Sequence, residues 1–244
     1  MPRNDIDLPT CVAGDSTRAA TFDGLGSARA QALITDPPYC LLTRRRKGGD
    51  VRDPKGKKNE GPNVRRFEDV REYRAFTDAW LTNAAAHLDG PMVVWTNLLG
   101  KEPIRTAAAK LGWAHLRGEF TWGKRSSDRN SGEETLRVVE VALVLTRDAA
   151  RPAAPSDAAV PWAVVAGYDD DGEAARWGSH PNHKPFGVIE PLVRTWSRPG
   201  DLVLDCFAGS GSIPAAALKL GRRTFCAELD PALAARVTER LQGS

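Results

Sequence analysis

The chain has 244 residues, with 34 Lys/Arg against 31 Asp/Glu and a formal net charge of +3. That is enough chain for one well-filled core, and too little net charge to make an anionic partner a property of the whole surface. Its four cysteines, Cys11, Cys40, Cys206 and Cys226, show no CxxC or Cys/His spacing, which argues against a metal centre or a disulfide frame and suits a reducing cytoplasm.

The opening MPRNDIDLPT lacks an apolar signal core, and no apolar run approaches the ~18 residues of a membrane span, so a soluble, cytoplasmic protein is expected. Along the chain a strand-then-helix rhythm recurs. LPTCVAGD (8–15) and AQALITD (30–36) read as short buried strands, each ending on an acid. Residues 70–88 place Tyr73, Phe76, Trp80, Leu81 and Ala84 at helical spacing, which predicts a helix with one apolar face. PMVVWTN (91–97) is again a strand, followed by a helix from Glu102 to Leu111. AHLRGEFTWGK (114–124) and RVVEVALVLTR (137–147) are β-rich with no helix between them, the pattern of an antiparallel hairpin at a sheet edge. A helix is expected after Pro185, and DLVLDCFAGSGS (201–212), a helix to about Leu220, RTFCAEL (223–229) and a last helix make a βαβα unit. The alternation predicts a single α/β domain over residues 1–244, with a doubly wound, mostly parallel, Rossmann-like sheet and ligands at the carboxyl ends of its strands.

Two stretches interrupt this rhythm. Residues 44–66 hold ten Lys/Arg against three acids, a local net of +7, and mark a basic insert over 41–69. Residues 147–180 are rich in Ala, Pro and Asp, with PWAVVAGY as their apolar island, and read as a short surface excursion with one short strand.

Chemistry concentrates at two strand ends. In ALITDPPYCL (32–41) an apolar strand runs into Asp36, two prolines and Tyr39; fixed proline φ values hold the backbone there without an ordering cost. In DLVLDCFAGSGS, Gly209 and Gly211 let backbone approach a ligand closely, and Glu228, 17 positions after Gly211, is placed to take both hydroxyls of a ribose. A glycine turn serving only the fold is the plain alternative. A dinucleotide fingerprint would want Gly or Ala at position 214, where this chain has Pro214, so a nicotinamide cofactor fits poorly. A nucleoside cofactor without a pyrophosphate, S-adenosylmethionine, fits better.

With these motifs the chain resembles the S-adenosylmethionine-dependent DNA amino-methyltransferases, in the circularly permuted (beta-class) arrangement where the DPPY motif precedes the FxGxG motif. The resemblance implies that Asp36, Pro37, Pro38 and Tyr39 are catalytic. It assigns Asp15, Asp205, Phe207, Ala208, Gly209, Gly211, Glu228 and Leu229 to the cofactor. HPNHKP (180–185) is similar to the family's HPTQKP, so His180 and Lys184 join the cofactor set, with His183 in place of the usual Gln. The implied reaction is methyl transfer to the exocyclic amine of a flipped base. Asp at the first motif position goes mostly with adenine N6, and cytosine N4 is the alternative. A catalytically silent DNA-binding relative, and an RNA or protein amide methyltransferase, are the readings from other classes.

Double-stranded DNA is the implied partner and a nucleoid-associated location the expectation. Arg44, Arg45, Arg46, Lys47, Lys55, Lys57, Lys58, Arg65 and Arg66 are collectively assigned to phosphate contact, against the alternative of a solvated basic loop. Only about thirty residues stand where the family's target-recognition region lies, so sequence readout must be compact or shared. The resemblance also admits a homodimer and a cognate restriction endonuclease as partners, with no metal and no membrane.

Overall fold

The computed structural model describes residues 11–43, 65–127, 134–148, 162–177 and 183–243. Eight strands form one sheet: β1 (Cys11–Ala13), β2 (Ala32–Thr35), β3 (Met92–Thr96), β4 (His115–Ser127), β5 (Glu134–Thr146), β6 (Ala163–Gly167), β7 (Leu202–Asp205) and β8 (Arg223–Glu228). Their spatial order is β1-β8-β7-β2-β3-β5-β4-β6. All neighbours are parallel except that β5 runs antiparallel to both β3 and β4. The expected antiparallel pair is present, but it is not the outermost element. β6, from the apolar island of the 147–180 excursion, adds to β4 in parallel and forms the edge.

Both faces of the sheet are covered, because alternate residues of each central strand point to opposite sides. Leu33, Met92, Val94, Leu143, Leu145, Leu202 and Leu204 face α1 (Val70–Ala86) and α2 (Lys101–Lys110). Ile34, Val93, Trp95, Phe120, Trp122, Val144 and Val203 face α4 (Phe186–Trp196) and α5 (Ser212–Lys219). On that second side α6 (Pro231–Gln242) lays Ala234, Val237 and Leu241 over Cys11 and Cys226. The predicted helix over 70–88 forms as α1, whose start is fixed by Asp69 accepting hydrogen bonds from the Arg71 and Glu72 amides.

Short local elements were not anticipated, among them a 3-10 turn over Leu98–Gly100. AATFDGL forms a 3-10 helix over Ala19–Leu25 that buries Phe22 and Leu25, and α3 (Glu173–Trp177) follows β6. A five-residue helix and a 3-10 turn are too short to show a helical period. Among the described residues no helix is long and apolar enough to cross a membrane, and no group of His, Cys, Asp and Glu is arranged to hold a metal ion.

The topology locates the site. From β7 the chain winds through α5 to β8, and from β2 through α1 to β3, in opposite directions across the sheet. Beyond the carboxyl ends of the adjacent strands β7 and β2 this reversal opens a crevice. The loop after β2 is Asp36–Tyr39 and the loop after β7 is Cys206–Gly211, so two motifs 170 residues apart in sequence become neighbours.

Candidate active site

The two loops leave the sheet from a shared hydrogen-bonded footing. Thr35, the last residue of β2, donates its hydroxyl to Asp205 Oδ1 at 2.8 Å and accepts the Cys206 amide at 3.1 Å. Asp205 Oδ1 also accepts the Phe207 amide at 3.1 Å. Asp205 is fully buried, and its Oδ2 has no hydrogen-bond partner among the described residues. Burial pushes its carboxyl up to about 7, against the pull of the Thr35 and Phe207 hydrogen bonds. Asp205, assigned above to the cofactor, is thus placed beneath the loops, where it fixes their separation.

Between them lies a cavity of about 490 Å³. Asp36, Pro37, Pro38, Tyr39 and Lys184 line one side; Asp15, Phe207, Ala208, Gly209, Glu228 and Leu229 line the other. Glu228 Oε2 accepts the Gly209 amide at 2.8 Å and Oε1 the Asp230 amide at 3.1 Å, which holds the carboxylate at the tip of β8. Asp15 accepts the amide and hydroxyl of Thr17 at 2.9 and 2.8 Å; although burial opposes it, these bonds and the nearby Arg18 and Arg65 keep its carboxyl below the usual range. Phe207 is wedged between Phe76, at 5.9 Å, and Trp80, at 5.3 Å edge-on. Gly211, at φ 77°, starts α5, and a Cβ there would come within 2.9 Å of Val237. The glycine is needed both for its left-handed backbone and for the closeness of α6.

The side built on Asp36–Tyr39 holds a buried ionic cluster. Lys184, 1% exposed, donates to Asp36 Oδ2 at 2.7 Å and to Glu140 Oε2 at 2.9 Å. Tyr39 donates its hydroxyl to Glu140 Oε2 at 2.7 Å, and Lys124 caps Glu140 Oε1. The Lys184 ammonium also lies 4.7 Å from the centre of the Trp95 ring, a cation–π contact. Burial disfavours the Lys184 charge, yet the facing Asp36 and Glu140 carboxylates more than offset it and raise its pKa. The carboxylates part ways. Burial raises Asp36, with Glu140 adding to the rise against Lys184, whereas two lysines overcome burial at Glu140 and pull it to about 2. Asp36 Oδ1 has no hydrogen-bond partner among the described residues. Lys184, assigned above to the cofactor, turns its ammonium to the Asp36 carboxylate.

His183, in the place of the family's Gln, is buried, with Nδ1 3.3 Å from Ser210 Oγ in the glycine loop. Burial lowers its pKa in spite of Asp171 nearby, which favours the neutral ring.

The ends of the basic segment meet at the cavity rim. The Thr43 amide donates to Phe67 O and the Phe67 amide to Leu41 O, each at 2.9 Å, and both Leu41 and Arg65 line the cavity. Arg65 lies over the Phe76 ring at 4.3 Å. Arg66 is described beside it, while Arg44, Arg45, Arg46, Lys47, Lys55, Lys57, Lys58 and His180 lie outside the described residues.

Sequence reasoning missed Glu140, Lys124 and the Trp95 wall. A signal was there. Glu140 shares its parity on β5 with Ala142 and Val144, which face the core of the α4 side; a lone acid on a core-facing row demands a buried cation.

A model of the DNA methylase family matches residues 30–239. YubD of Escherichia coli (strain K12) is 28% identical over 227 residues, 89% of this chain and 83% of that protein. The crystal structure of the M1.HpyAVI–SAM complex aligns with TM-score 0.66 at 17% identity, over 95% of this chain and 98% of that one. The PvuII DNA methyltransferase, described as cytosine-N4-specific, aligns with TM-score 0.67 at 16% identity, over 96% and 90%. Identities this low speak to the common fold, and the family match spans the Asp36–Tyr39 loop, the glycine loop and the strands between them. The chain belongs to the N6/N4 DNA methylase family.

Proposed function

We propose that this chain transfers a methyl group from S-adenosylmethionine to the exocyclic amine of a base drawn out of duplex DNA, and that the base is adenine, modified at N6. The observation that carries the reading is Asp36: a carboxylate at a strand tip, lining the cavity, one oxygen tied to Lys184 and the other buried with no hydrogen-bond partner among the described residues. The cavity suits the cofactor. Glu228 and Asp15 offer acceptors for hydroxyl and amine groups, and Phe207 offers an aromatic face beside them. When bound, S-adenosylmethionine supplies an electrophilic methyl carbon on a charged sulfur.

An aromatic amine is a poor nucleophile because its lone pair is delocalised into the ring. Asp36 Oδ1 and the Pro37 carbonyl can each accept one amine N–H, which holds the nitrogen toward tetrahedral shape with its lone pair directed into the cavity. The Asp36 carboxylate also faces the positive charge that develops on nitrogen and can take up the released proton. Tyr39, its hydroxyl anchored on Glu140, presents a ring on which the displaced base can stack. Both ends of the basic segment lie at the rim, where phosphates flanking a flipped nucleotide would pass. Asp at the first motif position supports adenine over cytosine through the family resemblance.

The test is direct. Nucleosides from duplex DNA incubated with the protein and S-adenosylmethionine are expected to contain N6-methyladenine by mass spectrometry; N4-methylcytosine in its place would overturn the choice of base. Asp36→Ala is expected to abolish methylation while cofactor binding by calorimetry stays within about threefold of wild type. Turnover near the wild-type rate in that variant would refute the amine-positioning mechanism.

A further inference from the structure

Asp36 does not face Lys184 alone. Glu140 accepts from the same ammonium, and it reaches the catalytic end of the sheet because β5 runs antiparallel to β3, with Thr96 opposite Val141. Glu140 is thus carried on a strand of the sheet, and the same carboxylate receives Tyr39 and Lys124. The cluster therefore holds two carboxylates and two lysines that share charge by contact. A lone lysine on Asp36 would neutralise it as an ion pair and weaken it as an acceptor for an amine proton. A second carboxylate on that lysine divides its attraction.

We propose that Glu140 is a positioning residue for methyl transfer: by sharing the Lys184 ammonium and anchoring the Tyr39 hydroxyl, it orients Asp36 and preserves that carboxylate's strength as an acceptor for the substrate amine. The inference rests on the methyl-transfer reading above. The groups acting on Asp36 are Lys184 in contact, Tyr39 beside it, Glu140 across the shared ammonium, Lys124 through Glu140, Tyr73, and Asp205 beneath the loop. Their directions agree with the geometry, since Glu140 raises Asp36 while Lys184 lowers it.

Two substitutions move the system in opposite senses. Glu140→Gln removes a negative neighbour and leaves Lys184 to Asp36 alone. The expected result is a kcat lower by roughly ten- to a hundredfold and an acid limb of the kcat–pH profile displaced to lower pH by about one unit. Lys124→Met keeps an unbranched stem over Trp122 but removes a cation from Glu140. The Glu140 charge then bears more fully on the Lys184–Asp36 pair, so the acid limb is expected to move to higher pH. Cofactor affinity should be unchanged in both. A lower rate with an unmoved acid limb in both variants would mean a merely structural role and would overturn the proposal, as would movement of the two limbs in the same direction. Should Glu140→Gln fail to fold, the limb of Lys124→Met decides alone: a rise supports the proposal, and no rise or a fall overturns it. Wild-type protein that methylates no DNA base would instead overturn the underlying activity, a separate outcome read in the same assay.

Discussion

Asp205→Asn isolates the contribution of the carboxyl beneath the two loops. The amide oxygen can still accept from the Thr35 hydroxyl and the Phe207 amide, while its nitrogen replaces an oxygen that has no partner among the described residues. In the folded protein burial holds the Asp205 carboxyl at about 7, whereas in the unfolded chain it titrates near 3.9. Between those values the folded state binds more protons than the unfolded state, so the slope of stability with pH from this group is negative. Its stabilising contribution is complete below about pH 4 and is lost as pH rises through about 7, a change of about 4 kcal/mol at about 1.4 kcal/mol per unit. Urea unfolding of both proteins at intervals from pH 4 to 8 checks this. The difference in stability, variant minus wild type, should grow in favour of the variant across that range. A flat difference would refute the reasoning, because it would mean that Asp205 ionises as easily folded as unfolded.

Other expectations follow from contact distances. A Cβ at Gly90 would lie 1.7 Å from the backbone oxygen of Gln31, so Gly90→Ala must displace main chain at the start of β2 or β3 and should cost about 3 kcal/mol or more in urea unfolding; a loss within about 0.5 kcal/mol would contradict the packing. Arg65→Gln removes a cation at the cavity rim, and the slope of log binding constant against log salt for duplex DNA should fall by about one unit. An unchanged slope would separate Arg65 from phosphate contact.

The strand-ending motifs were readable because each joins an apolar run to residues of restricted backbone: Asp36 with two prolines, Gly209 and Gly211 with their turn. The alternation of β and α elements placed both motifs at carboxyl ends of strands, and the pairing of β2 with β7 makes them neighbours. The position of β6 could not be read, since five residues between polar stretches carry no information on which edge they join. The partners of Lys184 were hidden for a related reason. The resemblance places a lysine after a His-Pro pair, but which charge it meets depends on the direction of β5 and on the register that sets Trp122 opposite Glu140. Parity along RVVEVALVLTR marks Glu140 as facing inward, and only the fold names the cations waiting there.

The four cysteines are buried in the native chain. Cys40 directly follows Asp36–Tyr39 and Cys206 opens the glycine loop, while Cys11 and Cys226 face each other across β1 and β8. Burial raises the Cys40 and Cys206 thiols, and at Cys226 a thiol hydrogen bond to the neighbouring Cys11, with burial, does the same. Scarce thiolate and closed access together make alkylation wait on local opening. The protein thereby carries its own clocks: two thiols time the breathing of the ligand crevice, and a second pair times the loosening of the far strand, with no label added.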